Sequence, residues 1–273
     1  MAISSPMMTL PIAMTIAGSD CSAGAGLQAD LKTFSALGVH AFTAVTCVVS
    51  ETPLTVNAVH PVPLEVLRDQ IQLLLASYPV SAIKTGMLYS RDHILTVCDL
   101  LQGTDIPLIV DPVMIASTGD PLLVGDALEA ISQRLLPLAT IITPNLPEAG
   151  FLLGRPVVTA RDQEEAAQEL AEKYATICYL KGGHLRDEID HRDLLTGDGE
   201  PVSFAAPHLD LAHTHGTGCT LAAALTAGIA KGLPIKEAAE RAHEFTHQAL
   251  KNSLTWTVPG SDRTISHLDQ VQR

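Results

Sequence analysis

Short apolar runs rich in β-branched residues alternate with helical patterns along most of this chain, and that alternation is its strongest constraint. "MTIA" (14–17), "AVTCVV" (44–49), "SAIK" (81–84), "PLIV" (107–110), "TIIT" (140–143) and "TICYLK" (176–181) read as strands. Between them lie segments such as "LEVLRDQIQLLLASY" (64–78), which puts Leu67, Ile71, Leu74 and Leu75 on one helix face. Strands separated by helices require right-handed crossovers, so the pattern predicts an α/β fold with a central, mostly parallel sheet. An apolar content of 47% with only 4% aromatic residues suits a core of Leu, Val, Ile and Ala between such layers. No linker, repeat or low-complexity block interrupts the chain, so residues 1–273 read as a single domain.

A formal net charge of −13 argues against a nucleic-acid partner and against an anionic membrane surface. An acidic chain can still bind phosphates through a local pocket of amides and a few cations, which leaves a small-molecule substrate as the expected partner. No apolar run reaches membrane-spanning length, no basic residue precedes Lys32, and Pro11 interrupts the one candidate signal core. The five cysteines are scattered without a CxxC pair, which fits a reducing compartment and a cytoplasmic location.

Lys84, Asp111, Asn145 and Lys181 each stand at or just beyond the carboxyl end of an expected strand, where open α/β sheets place their ligand crevice. Polar residues also end strands simply because loops are wet. Asp111 is held extended by Pro112, which displays its carboxylate and suits an acid associated with magnesium, although Asp-Pro equally opens ordinary turns. In "ITPNLPEAGFLLG" (142–154), Asn145 can cap a helix with Glu148 completing a capping box, and a metal role for Glu148 is compatible with that. Lys181 leaves its strand beside Gly182-Gly183, where an ammonium can neutralise phosphate charge.

Two glycine-rich segments open helices. "GSDCSAGAGLQADLKTFSALG" (18–38) carries a buried stripe of Leu27, Leu31 and Phe34, a stop at Gly38, and Asp30 on the polar side of the first turn. Its Gly24-x-Gly26-x-x-Ala29 is a partial dinucleotide fingerprint, but residues 19–22 separate it from the strand; a flexible capped turn is the other reading. In "HTHGTGCTLAAALTAG" (213–228), Gly216-Thr217-Gly218 precedes a helix expected to run to about Lys231 with Gly232 as its stop. Free amides and the helix dipole there make an anion site, and the same field should lower the pKa of Cys219 and favour thiolate. Cys219 is either a small packed hydrophobe or this reactive group; its place after Gly-Thr-Gly favours the second. His213 and His215 form an isolated HxH, a weak metal signal.

"IAGSDCSAGAGLQADLKTFSALG", "KTGML", "DPVM", "GDPLL", "ITPNLPEA", "KGGH" and "THGTGCT" follow in that order from Ile16 to Thr220. With these motifs the chain resembles the ribokinase superfamily, and within it the bacterial hydroxymethylpyrimidine/phosphomethylpyrimidine kinases of thiamine biosynthesis. The resemblance implies a ribokinase-like three-layer α/β/α sandwich and transfer of the ATP γ-phosphoryl group to a hydroxymethyl or phosphate oxygen, with Mg²⁺ and as a homodimer. It makes Cys219 the base, the amides of Gly216, Thr217, Gly218 and Cys219 the anion hole, and Asn145 and Glu148 an element supporting magnesium. Lys181 becomes the ATP-phosphate lysine, with Asn145 and Asp111 on the same ATP side and Asp111 beside Glu148 at the metal. Gly18, Asp30, Glu51 and Met87 fall at pyrimidine-pocket positions.

The chain departs from that pattern in three places. Ala23 replaces a glycine, a small change if its φ is negative. Glu51-Thr52 replaces a Gln-Asn pair whose glutamine contacts the pyrimidine; an ionised Glu51 can only accept hydrogen bonds where an amide both donates and accepts. The ending "TVPGSDRTISHL" (257–268) only loosely echoes the family's Gly-Pro-rich terminus. A pyridoxal/pyridoxine kinase is the nearest alternative, a non-catalytic nucleotide or vitamin sensor a second, and a Rossmann dehydrogenase a distant one.

Overall fold

The computed structural model describes residues 10–114, 126–183, 190–207, 209 and 215–271. "GDPLL" (119–123), His184 of "KGGH", and His213 and Thr214 lie outside the described residues.

All six expected strands are present. β1 (Ile12–Asp20) enters α1 (Gly26–Ala36), followed by β2 (His40–Thr52), β3 (Thr55–Pro61), α2 (Leu64–Ser77) and β4 (Ala82–Thr85). Then come α3 (Arg91–Leu101), β5 (Leu108–Val110), the short α4 (Ala127–Ala130), β6 (Ile141–Ile142), α5 (Leu146–Leu153), α6 (Ala160–Tyr174) and β7 (Ile177–Leu180). The remainder holds β8 (Asp190–Thr196), β9 (Val202–Pro207), α7 (Thr217–Ala230), α8 (Ile235–Lys251), β10 (Leu254–Thr257) and β11 (Thr264–His267).

The local chemistry explains the boundaries. Ser90 caps α3 by accepting from the His93 amide, and Thr159 with Asp162 closes a reciprocal capping box on α6. Gly38 and Gly232, with φ of 68° and 77°, follow α1 and α7 in the left-handed conformation that glycine adopts without a Cβ penalty.

The main sheet has nine strands in the order β3-β2-β1-β4-β5-β6-β7-β8-β9. The pairs from β2 through β1 to β7 are parallel, whereas β3, β8 and β9 join antiparallel. The sequence reading did not foresee those three strands or the β10–β11 hairpin. β3 ("TVNAVHP") is half-exposed and β8 opens on "DHRD", so neither presents the apolar run by which buried strands are recognised.

Successive strand residues point to opposite faces. Met14, Ile83, Val110 and Ile142 join a core under α2, α3, α5 and α6; Ala13, Ala82, Ile109 and Ile141 join a second core under α1, α7 and α8. The result is a three-layer α/β/α sandwich. Alanine-rich α7 lies pressed between sheet and α8, and the two helices approach closely where Gly228 meets Ala238. Strand order reverses at β1, which has β2 on one side and β4 on the other, and a crevice opens at such a point.

Candidate active site

At the carboxyl ends of β1, β4, β5, β6 and β7 lies a cavity of about 150 Å³. Eleven of the twelve residues singled out from sequence line it: Gly18, Glu51 and Met87 on one side, Asp111, Asn145, Glu148 and Lys181 on another, and Gly216, Thr217, Gly218 and Cys219 at the start of α7. A larger open groove of about 610 Å³ runs along α5 from Leu146 to Val158, but Arg155 is its one charged group. The convergent polar chemistry is in the smaller cavity.

Asp30 is the exception. It is fully buried rather than on a polar helix face, and it is not part of the cavity lining. Both carboxylate oxygens accept from Lys84 Nζ, at 2.7 and 2.8 Å, and Thr15 donates to Oδ2 at 2.5 Å. Burial raises the Asp30 pKa, with Lys84 opposing it. Lys84, also fully buried, does line the cavity; burial alone would lower its pKa, but Asp30 and other anionic neighbours reverse the effect and keep it an ammonium. The sequence marked Lys84 as a polar strand end and assigned it no task; a pairing across 54 positions leaves no local signal.

β6 and β7 end side by side, joined beyond their ends by a bridge between Asn145 and Lys181. Asn145 Oδ1 accepts from the Glu148 amide at 2.8 Å and Glu148 Oε2 accepts from the Asn145 amide at 2.7 Å, so the capping box is real. Lys181 Nζ lies 2.8 Å from Asp111 Oδ1 and 3.8 Å from Glu148 Oε2. Burial and Asp111 push Glu148 up to about 7, against the pull of Lys181. The Asp111 and Glu148 carboxylates on either side of the Lys181 ammonium are hard oxygen donors, the type that suits Mg²⁺. Behind Lys181, the Gly182 amide and the Tyr179 hydroxyl both donate to Asp193, at 2.9 Å each, which fixes the turn that carries the lysine.

Gly216 begins α7 with φ of 89°, and a side chain there would run into the Gly24 carbonyl of the loop after β1. The two glycine-rich loops therefore lock backbone against backbone, and the start of α7 borders the cavity, where a helix N-terminus favours an anion. Cys219 sits half-buried in the first turn. The expectation of a lowered pKa is overturned: burial pushes the thiol up to about 11, Lys84 pulls it down, and Asp30 and Asp111 add to the rise. Burial is the largest cause, and the two buried carboxylates add to it.

The loop after β1 holds a further surprise. Ala23 has φ of 60°, not the negative value expected, so an alanine occupies a left-handed position that glycine would fill at less cost. Asp20 organises this loop. Its oxygens accept from the amides of Ser22 (2.7 Å), Gly24 (3.0 Å) and Ala25 (2.8 Å), and His215 Nε2 lies 3.1 Å away. Burial opposes these contacts, but together they hold the Asp20 carboxyl down at about 2. The sequence offered His215 only as half of a weak HxH metal signal and gave no role to Asp20; an acid followed by Ser22 and two glycines is the Asx-type loop signal that could have found Asp20.

The sequence profile of the phosphomethylpyrimidine kinase family matches residues 20–260. A hydroxymethylpyrimidine/phosphomethylpyrimidine kinase of Streptomyces coelicolor is 43% identical over 245 residues, 90% of each chain. The phosphomethylpyrimidine kinase structure from Clostridium difficile superposes with a TM-score of 0.79 at 34% identity, covering 89% of this chain and 100% of that one. The pyridoxal kinase of Staphylococcus aureus, solved with AMP-PCP and pyridoxal, superposes with a TM-score of 0.85 at 36% identity, covering 97% and 94%.

Proposed function

The chain belongs to the phosphomethylpyrimidine kinase family, and from that premise we propose that it transfers the γ-phosphoryl group of ATP to the hydroxymethyl oxygen of 4-amino-5-hydroxymethyl-2-methylpyrimidine and then to the resulting monophosphate. The observation that carries this reading is the meeting, in one cavity, of the Lys181–Asp111–Glu148 cluster with the amide-rich start of α7. One side offers a cation and metal-ligating oxygens for a polyphosphate, the other an anion cradle for the group in flight.

In this reading Asp111 and Glu148, with Asn145 beside them, would hold Mg²⁺, which supplies charge neutralisation of the phosphates. Lys181 binds a phosphate oxygen, and the amides of Gly216–Cys219 receive negative charge developing on the transferred group. The substrate hydroxyl oxygen attacks phosphorus as the bond to ADP breaks, and its proton passes to Cys219 Sγ in the thiolate form, giving the thiol. With the thiol at about 11 the thiolate is a minority species at neutral pH. A loose transition state transfers that proton late, so positioning carries most of the rate. Gly18, Glu51 and Met87 surround the ring, while Asp30 acts from below by holding Lys84 at the cavity floor. The protein works in the cytoplasm as a homodimer on this small molecule.

The superposition on pyridoxal kinases favours a second reading, phosphorylation of pyridoxal in the same cavity. A sensor without catalysis would have no need of Cys219 with Lys181 and Glu148. Mass spectrometry of products after incubation with Mg²⁺-ATP tests the proposal: successive mono- and diphosphate of the pyrimidine support it, and an unchanged pyrimidine rejects it.

A further inference from the structure

Glu51 ends β2 on the cavity wall, its backbone braced by the Cys21 thiol, which lies 3.2 Å from the Glu51 carbonyl and 3.3 Å from its amide. Its carboxylate, that of Asp20 and the ring of His215 bring their ligating atoms within 4.8 Å of one another. A metal ion is a poor occupant, because three amides and His215 already engage the Asp20 carboxylate. Asp20 is thus a fixed negative charge, and among the described residues no donor is hydrogen-bonded to the Glu51 side chain. The groups facing this corner are Asp20 from β1, Cys21 from the loop after it and His215 ahead of α7, with the His267 ring of β11 edge-on beyond His215. A half-buried carboxyl beside a fixed carboxylate retains its proton. Burial and Asp20 raise Glu51 to about 7, with His215 opposing.

We propose that Glu51 reads the substrate ring as an uncharged carboxylic acid, its hydroxyl donating to a ring acceptor and its carbonyl oxygen accepting from an exocyclic donor. A glutamate then presents the same donor–acceptor pair as a neutral amide. The inference rests on the pyrimidine reading above for its ligand, and on Asp20 for its protonation. It makes recognition sensitive to pH: the donor is present below about pH 7 and disappears above it.

Two measurements on the full chain decide it. Carbon-13 NMR of glutamate-labelled protein should show a carboxyl carbon titrating near pH 7 that is missing in Glu51→Gln. A Glu51 midpoint below pH 5 overturns the proposal whatever the substrate is. In steady-state kinetics at saturating ATP, KM for the pyrimidine should rise at least about tenfold from pH 6 to pH 9 in the native protein, since above the midpoint the neutral fraction falls about tenfold per unit. Glu51→Gln, which cannot ionise, should lose that excess rise; the substrate's own titration is common to both. Parallel KM profiles in the two proteins also overturn it. If neither protein phosphorylates the pyrimidine, the functional reading fails and the NMR titration still decides the state of Glu51.

Discussion

Gly218 and Lys181 face one another so closely that a Cβ at position 218 would lie 3.1 Å from Lys181 Nζ and 3.6 Å from Asp111 Oδ2. The missing side chain leaves the start of α7 and the cationic cluster close enough to share one ligand in the proposed reaction. The nearest atom is the tip of a flexible lysine, so alanine here should displace the ammonium rather than break the fold. Gly218→Ala is expected to lower kcat/KM for ATP by less than the roughly 100-fold that a 1 Å misplacement can cost at a reacting centre, because the ammonium has to give by only a few tenths of an ångström. Its melting temperature should stay close to the native value. Kinetics beside thermal denaturation check this, and a large stability loss would mean that the glycine serves packing instead.

Asp30 and Lys84 form an ion pair with both side chains fully buried. Removing one partner leaves an uncompensated charge, so Asp30→Asn should cost about 3–5 kcal/mol in denaturant unfolding. The double variant Asp30→Leu, Lys84→Met should recover much of that stability while remaining impaired in turnover, because Lys84 also faces the cavity. Equal instability of both variants would show that the pair is not the dominant interaction.

Much of this site was legible because its residues stand in short continuous motifs at strand ends and helix starts. Asn145 with Glu148 sits within one helical turn, and Gly216–Cys219 is contiguous. The expected parallel strands were likewise marked by apolar runs. What escaped were relationships between distant positions. Asp30 looked like a surface acid until Lys84 came to it from β4, and the thiol of Cys219 looked activated, whereas burial, with Asp30 and Asp111 adding to it, raises its pKa. Ala23 could not be recognised as left-handed from its type, and the half-exposed β3 lacks the pattern that announces a buried strand.

The raised pKa of Glu51 has a consequence for stability as well as for binding. An acid at 4.5 when unfolded and about 7 when folded contributes fully below 4.5, and that contribution is lost as pH rises through 7. Glu51→Gln cannot ionise, so it should melt higher than the native protein at pH 8 and not at pH 4. Calorimetry at both values checks the sign; a gain confined to pH 4 would contradict the assignment.

In the proposed reaction Cys219 takes the substrate proton, so Cys219→Ala would remove that acceptor and leave the amides of α7 in place. We expect kcat to fall by about 100- to 1,000-fold, in the range of a lost general base, with nucleotide affinity nearly unchanged. Near-normal kcat in the purified variant would make Cys219 a packing residue.

The central claim is that this cavity phosphorylates a hydroxymethylpyrimidine, and its most direct test is kcat/KM for that compound and for pyridoxal, measured side by side with one enzyme preparation under Mg²⁺-ATP. The account predicts a higher value for the pyrimidine, with its monophosphate accepted in turn. A clear preference for pyridoxal would contradict it and assign the same machinery to the vitamin B6 ring.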